Sequence, residues 1–351
     1  MKGWELSRQF FEECIAPLIR KAYPGIESQM AAGVFGMGSD AAGLDDELSR
    51  EHHWGPRCNI LLGDSLQDLC AEVEAYLQNH LPREYLGFEV YHLKYNRSGV
   101  TVETIGQFFE DMVGFAEAPA EPADWFRMTE ADLFAITSGQ LFYDATGDFT
   151  RRRAGFAYYP DPIWRKKMAD WMVYLTGHGV YNLNRVRQRE DWPAAAIYQG
   201  VTVKRLLEMG HLLNRTYAPY NKWLYRSFKR LPQFSAEMAP ILERALATED
   251  WEEKLKDYLR IYVAINDALH RQGLTRRYYP PVGQPEVDEH WMYFLYDAAV
   301  ELYRSIPKPL VWGRFNEVEK WEQVVKQVIL SPDWKAGFAT LKEEAESEAD
   351  G

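Results

Sequence analysis

A chain of 351 residues, 46% apolar and 26% charged, has the length for two ordinary domains and the composition of globular material. Its formal net charge of −12 speaks against general binding of DNA or RNA, which needs an excess of Lys and Arg, and is compatible with a neutral or cationic small substrate. No run approaches the roughly 18 apolar residues of a membrane span, and the opening MKGWELSRQFF has no signal-peptide core. Cys14, Cys58 and Cys70 are odd in number, lack CxxC spacing and sit among apolar neighbours, which predicts buried free thiols in a reducing cytoplasm.

In chain order, Leu6 to Ala22 carries Phe10, Phe11, Cys14, Ile15, Leu18 and Ile19 at helical spacing, with Pro17 as a kink and Tyr23-Pro24-Gly25 as the stop. The apolar run Ala31 to Phe35 then leads into GMGSDAAGLDDELSREHHWGPR, Gly36 to Arg57, and Cys58 to Leu62 turns apolar again. This predicts strand, tight turn, short polar helix, strand. Six of the twelve residues from Asp40 to Glu51 are charged. A turn of this kind offers backbone N–H groups to an anion, and the acidic cluster after it can hold a cation. Together they suggest a site for a nucleoside triphosphate with its metal. Leu66 to Leu81 reads as a helix with Leu66, Leu69, Cys70, Val73 and Leu77 on one face. Gly87 to Leu93 and Val100 to Ile105 alternate around Asn96-Arg97-Ser98-Gly99, a hairpin signature, and Gln107 to Val113 forms a short helix.

Phe115 to Asp124, rich in Ala, Glu and Pro, is the expected linker. Beyond it strand signals nearly vanish. Helical patterns cover Met128 to Ser138, Pro162 to Tyr174, Ala194 to Arg215, Phe234 to Ala247, Trp251 to Leu269 and His290 to Ile306. The predicted fold class is therefore α+β: a small mixed-sheet domain at 1–115, a linker at 116–124, a helical substrate-binding bundle at 125–330, and a C-terminal helix with a disordered acidic tail at 331–351. The 12 Trp and 21 Tyr fill cores or line pockets for planar ligands. The basic runs Arg151-Arg152-Arg153 and Arg165-Lys166-Lys167 read as solvated faces. HExxH, GxSxG, P-loop and GxGxxG motifs are all missing, which leaves the common zinc protease, hydrolase, kinase and Rossmann readings without motif support.

The segment from Gly38 to Arg57 resembles the nucleotidyltransferase superfamily, typified by kanamycin and lincosamide nucleotidyltransferases and DNA polymerase β. More closely, it resembles a domain-of-unknown-function family within that superfamily, whose members carry a GS…G.DDE.SRDHDWGP-type motif. The superfamily sets a Gly-Ser pair about a dozen residues before Asp-x-Asp or Asp-x-Glu, and here eleven residues separate Ser39 from Glu51. The resemblance implies that Gly38 and Ser39 meet the β- or γ-phosphate and that Arg57 assists the phosphates or pairs with Glu51. The metal carboxylates fall on Glu51 and His53. Glu103 is the third position, as metal ligand or as general base for the acceptor hydroxyl. A histidine at 53 suits Mn²⁺ or Zn²⁺ better than Mg²⁺, and Asp45 and Asp46 are further candidate ligands. Without the resemblance, the acidic run reads equally as a polar helix surface, and Glu103 as a solvent-facing strand charge.

Segments of the LAYYPDD and RRYAPYSKWL types, also found in that family, are matched here by Phe156 to Pro162 and Arg215 to Leu224. The resemblance thus covers roughly residues 5 to 330. Arg215, Tyr217, Tyr220 and Lys222 surround the break at Pro219, where Lys222 is placed to hold a triphosphate oxygen and Tyr217 or Tyr220 to stack on a base. The implied activity moves a nucleoside monophosphate from a nucleoside triphosphate to a hydroxyl of a small molecule, with a divalent metal (Mg or Mn, or Zn) and release of pyrophosphate. The implied partners are the triphosphate and the small-molecule acceptor, without nucleic acid or membrane, in a cytoplasmic protein that forms a monomer or a homodimer. Three alternatives stay open: a nucleotide-binding pseudoenzyme or sensor, a Mn- or Zn-dependent enzyme of altered chemistry, and nucleotidylation of a protein.

Overall fold

The N-terminal apolar pattern forms two helices, α1 (Gly3–Phe10) and α2 (Ala16–Ala22), joined by a π-helical turn at Phe11–Ile15. This is a computed structural model, and it describes residues 1–51, 54–92, 97–278, 293–315 and 326–331, with backbone alone at 50, 51, 91, 92, 97 and 98. Pro17 sits in the first turn of α2, where its missing N–H costs nothing, and the π turn before it absorbs the break. Two units emerge, Met1–Tyr159 with Tyr217–Ser227, and Pro160–Thr216 with Phe228–Gly351.

The first unit is built on a mixed five-stranded sheet of β1 (Met30–Val34), β2 (Arg57–Leu62), β5 (Tyr91–His92), β6 (Arg97–Thr104) and β7 (Gln140–Asp144), in the order β5-β6-β2-β1-β7. A separate two-stranded hairpin pairs β3 (Glu84–Tyr85) with β4 (Phe88–Glu89). β2 and β6 are parallel, and the other pairs in the large sheet are antiparallel. Helix α3 (Gln67–His80) lies in the crossover between β2 and β6. Alternation assigns each strand residue to a face. Met30, Ala32, Cys58, Ile60, Leu62, Val100 and Val102 share a core with Leu6, Phe10, Ile15 and Ile19 of the N-terminal helices and with Val73 and Leu77 of α3.

A second core is aromatic. Phe35 packs on Phe108 and Phe149 with centroids 5.9 and 4.4 Å apart, Phe109 stacks on Phe156 at 5.4 Å, and Trp125 meets Phe156 and Tyr159. Phe35 directly follows β1, and the other rings come from α4 (Ile105–Val113), the 3₁₀ turn Pro122–Arg127, α6 (Asp148–Gly155) and the chain after it, while α5 (Glu130–Thr137) leads into β7. The first unit thus runs past the 116–124 segment expected as a linker. Arg152 donates to Ala116 O, and Trp125 Nε1 donates to Pro119 O, so that segment is fastened within the unit. β7 was not expected in the helical half. Its five residues alternate only weakly, and its pairing with β1 is a contact about 110 residues distant in sequence.

The second unit is helical: α7 (Asp161–Tyr174), α8 (Asn182–Gln188), α9 (Trp192–Leu213), α11 (Ser235–Ala247), α12 (Trp251–Arg271), α13 (Phe294–Arg304) and α14 (Lys308–Val311). A short α10 (Asn221–Phe228) contributes mainly to the first unit. Each long helix matches a predicted pattern. The basic runs depart from expectation. Lys166 and Lys167 are fully buried in α7, and Arg152 is buried beside Asp64 and Asp148; only Arg151 is an exposed face residue. Cys58 is buried, but Cys14 and Cys70 are only half-buried; all three are free thiols. The expected tail at 332–351 lies outside the described residues. Among the described residues no helix is long and apolar enough to cross a membrane.

Candidate functional site

β1 ends in the Gly-Ser turn. Gly36 and Gly38 take φ values of 77° and 140°, backbone open to glycine and strained for other residues. A Cβ on Gly38 would stand 2.5 Å from Asp40 Oδ1 and 2.6 Å from Arg57 Nη2. That closeness comes from a forked ion pair: Arg57 donates through Nε to Asp40 Oδ2 and through Nη2 to Asp40 Oδ1, each at 2.7 Å. Nη2 also donates to Met37 O at 3.3 Å, and Asp40 Oδ1 accepts from the Ala41 N–H at 2.8 Å. Asp40 is wholly buried. The pair therefore locks the turn against the first residue of β2. The N–H groups of Met37, Gly38, Ser39 and Asp40 donate to no acceptor among the described residues. Ser39 itself is buried, so the surface of the turn is Gly36, Met37 and Gly38.

Beneath the turn a polar row crosses three strands. The Phe35 N–H donates to Asn59 Oδ1 at 3.0 Å, and Asn59 Nδ2 donates to Thr101 Oγ1 at 3.2 Å. Helix α1 holds the loop from the other side. Ser7 Oγ donates to Gly55 O and accepts from the Arg57 N–H, and Gly3 N–H donates to Asp45 Oδ2. Gly3 has no room for a side chain, since its Cβ would lie 2.7 Å from both Asp40 Cβ and Trp54 Nε1.

Asp45 and Asp46, candidate metal ligands from sequence, are engaged otherwise. Asp45 is buried and accepts from Gly3 and from the Trp54 indole at 3.1 Å, with Lys2 Nζ 3.4 Å away. Burial pushes its carboxyl up, but the Gly3 N–H, Trp54 and Lys2 outweigh burial and hold it below the usual carboxylate range. Asp46 caps the 3₁₀ helix Glu47–Glu51: it accepts from the Ser49 N–H and hydroxyl, and the Asp46 N–H donates back to Ser49 Oγ. Its other oxygen pairs with Arg226, which with Ser49 keeps the carboxyl acidic. Glu51 ends that 3₁₀ helix, its side chain undescribed, and His53 lies outside the described residues. Among the described residues no group of three or more His, Cys, Asp or Glu stands close enough to hold a metal, so those residues do not by themselves fit a metal centre.

Glu103 is elsewhere. Register pairs it with Leu61, whereas Arg57 pairs with Gly99. Four residues along a parallel strand place Glu103 roughly 13 Å from the row of the turn. It lines an open groove of about 550 Å³ between α3, β6 and the start of α4, with Cys70, Glu74, Gln78 and Gln107. Glu74 Oε2 accepts from the Val102 N–H and Gln78 donates to Val100 O, which closes part of the free edge of β6. Burial, then Asp111 and Glu74, push the Glu103 carboxyl up to about 7.

The Arg215–Lys222 cluster is divided. Arg215 belongs to the second unit, where it pairs with Asp161 at 3.0 Å and lies 3.6 Å over the Trp164 ring. Tyr217, Tyr220 and Lys222 belong to the first. Tyr217 is buried against Tyr158 and Tyr159 and donates to Phe156 O at 3.1 Å, so it is a core ring and not one offered to a base. Tyr220 is partly exposed, its hydroxyl accepting from Trp223 Nε1, and Lys222 is exposed beside the same indole. Sequence reasoning missed Asp40, Asn59 and Ser7. The one visible signal was a lone amide, Asn59, inside an otherwise apolar strand.

A sequence profile described as a domain of unknown function (DUF4037) matches residues 125–224. That span includes the Phe156–Pro162 and Arg215–Leu224 segments and excludes the Gly-Ser turn. No curated protein matches the chain. Among solved structures, a nucleotidyltransferase-like protein from Exiguobacterium sibiricum 255-15 is similar at 11% identity, with 86% of this chain and 90% of that chain covered and a TM-score of 0.34.

Proposed function

We propose that the first unit binds the phosphates of a nucleoside triphosphate at Gly36–Arg57 and that the protein is a nucleotidyltransferase acting on a small-molecule hydroxyl. One observation carries the reading: the N–H groups of Met37 and Gly38, at the surface of a turn whose glycines permit close approach, lack acceptors among the described residues. The motif resemblance of the same segment supports it. In the transfer, the acceptor oxygen bonds to the α-phosphorus and the bond from that phosphorus to the bridging oxygen breaks. Pyrophosphate leaves and the hydroxyl proton passes to a base. The metal that such chemistry uses would fall to Glu51 and His53, and Tyr220 and Lys222 are exposed residues of the Arg215–Lys222 segment in this unit.

A second reading, nucleotide binding without transfer, has its own support. Glu103 stands about 13 Å along β6 from the turn row, and Asp45 and Asp46 are committed to structural bonds. The test is calorimetric titration of the full chain with ATP, GTP, CTP and UTP, each with Mg²⁺, Mn²⁺ or no metal, beside a pyrophosphate-release assay with a panel of hydroxylated acceptors. Binding with release supports transfer, and binding without release under any acceptor supports the second reading. No binding to any triphosphate overturns both.

A further inference from the structure

The helical unit buries an indole donor that has no acceptor among the described residues. Trp171, near the end of α7, is 1% exposed, and its Nε1–H has no acceptor among the described residues. Away from water, a donor in that state keeps the full cost of losing its hydration. Cations flank the ring. Arg205 Cζ lies 3.9 Å from its centroid and Lys167 Nζ 5.1 Å. Both come from buried positions, Lys167 from the basic run on α7 and Arg205 from α9. Glu208 accepts from Arg205 Nη1 at 2.7 Å and helps to fix the guanidinium over the indole. Arg205 also lies 5.2 Å from the Tyr174 ring, which stacks on His178 at 4.7 Å.

We propose that the helical unit binds a small molecule through an oxyanion group, phosphate or carboxylate, that accepts the Trp171 Nε1–H beside Lys167 and Arg205. A neutral carbonyl would satisfy the indole equally well but gain little from the two cations; an oxyanion gains from both. Burial sharpens the preference, because charge interactions are screened less away from water. The ring also serves as a rigid wall, with cation–π contact holding both charged side chains to it. This site is independent of the triphosphate reading for the first unit.

The experiment is an indole ¹⁵N–¹H NMR titration of the full chain, with the Trp171 resonance identified by its loss in Trp171→Phe. Inorganic phosphate and acetate are added in separate arms up to tens of millimolar. The expected result is a saturable downfield shift of the Trp171 indole proton in one arm or both, the stronger arm naming the group. Lys167→Gln raises the midpoint at least ~10-fold, about 1.4 kcal/mol. An indole resonance unmoved by both anions overturns the proposal, whatever the variants do. So does a shift with the same midpoint in folded Lys167→Gln.

Discussion

Arg57→Ala is the sharpest probe of how the Gly-Ser turn is held. Asp40 is wholly buried and takes two guanidinium bonds of 2.7 Å; the Arg57 side chain is 16% exposed. Removing the arginine leaves a buried carboxylate with the Ala41 N–H as its remaining partner at 2.8 Å. Breaking a buried pair in this way costs about 3–5 kcal/mol, whereas a pair at the surface costs under about 1. Hydrogen exchange of the β1 and β2 amides reads the first unit separately from the helices. At ~1.4 kcal/mol per decade, protection there should fall by about two to four orders of magnitude. Asp40→Leu combined with Arg57→Met removes both charges and should recover much of the loss. Single variants that cost under ~1 kcal/mol and add without coupling would refute the idea that this pair locks the turn.

Gly38→Ala forces a side chain into a φ of 140° and against the Asp40–Arg57 fork, and should cost about 1–3 kcal/mol by the same exchange measurement while abolishing triphosphate binding. Glu103 holds its proton to higher pH folded than unfolded, so its contribution to stability is complete below 4.5 and is lost as pH rises through about 7; Glu103→Gln should flatten that fall in a pH series of melts. His178 has the opposite sign. Burial and then Arg205 push it down to about 4, so its contribution is present above 6.5 and lost as pH falls towards 4, and His178→Asn should flatten the acid-side loss in the helical unit.

Local pattern carried most of the fold. The apolar spacing of α3, α7, α9 and α12 and the strands flanking the Gly-Ser turn were legible because burial imposes a period on each. What was not legible depends on contacts distant in sequence. β7 is a strand because β1 is there to pair with it, and the first unit extends to Tyr159 because the Trp125, Phe156 and Tyr159 rings complete a core begun by Phe35 and Phe109. Lys166 and Lys167 read as a solvated run, yet their long stems reach aromatic partners such as Phe315 inside the unit. At the candidate site, the turn was visible from Gly36, Gly38 and Ser39. The burial of Asp40 under Arg57 was not, because a buried acid and an exposed one look alike in sequence. Asp46 shows the same ambiguity: its spacing to Ser49 equally describes a cap, and a cap is what forms. The position of Glu103 turned on strand register, which the sequence between β2 and β6 does not state.

The proposed function places a triphosphate on the amides at the surface of the Gly-Ser turn, those of Met37 and Gly38. Backbone amide NMR of deuterated protein during titration with the four nucleoside triphosphates tests it directly. Large, saturable shifts at these two residues are expected with at least one triphosphate. Triphosphate binding that leaves both amides unmoved, or no binding at all, would contradict it.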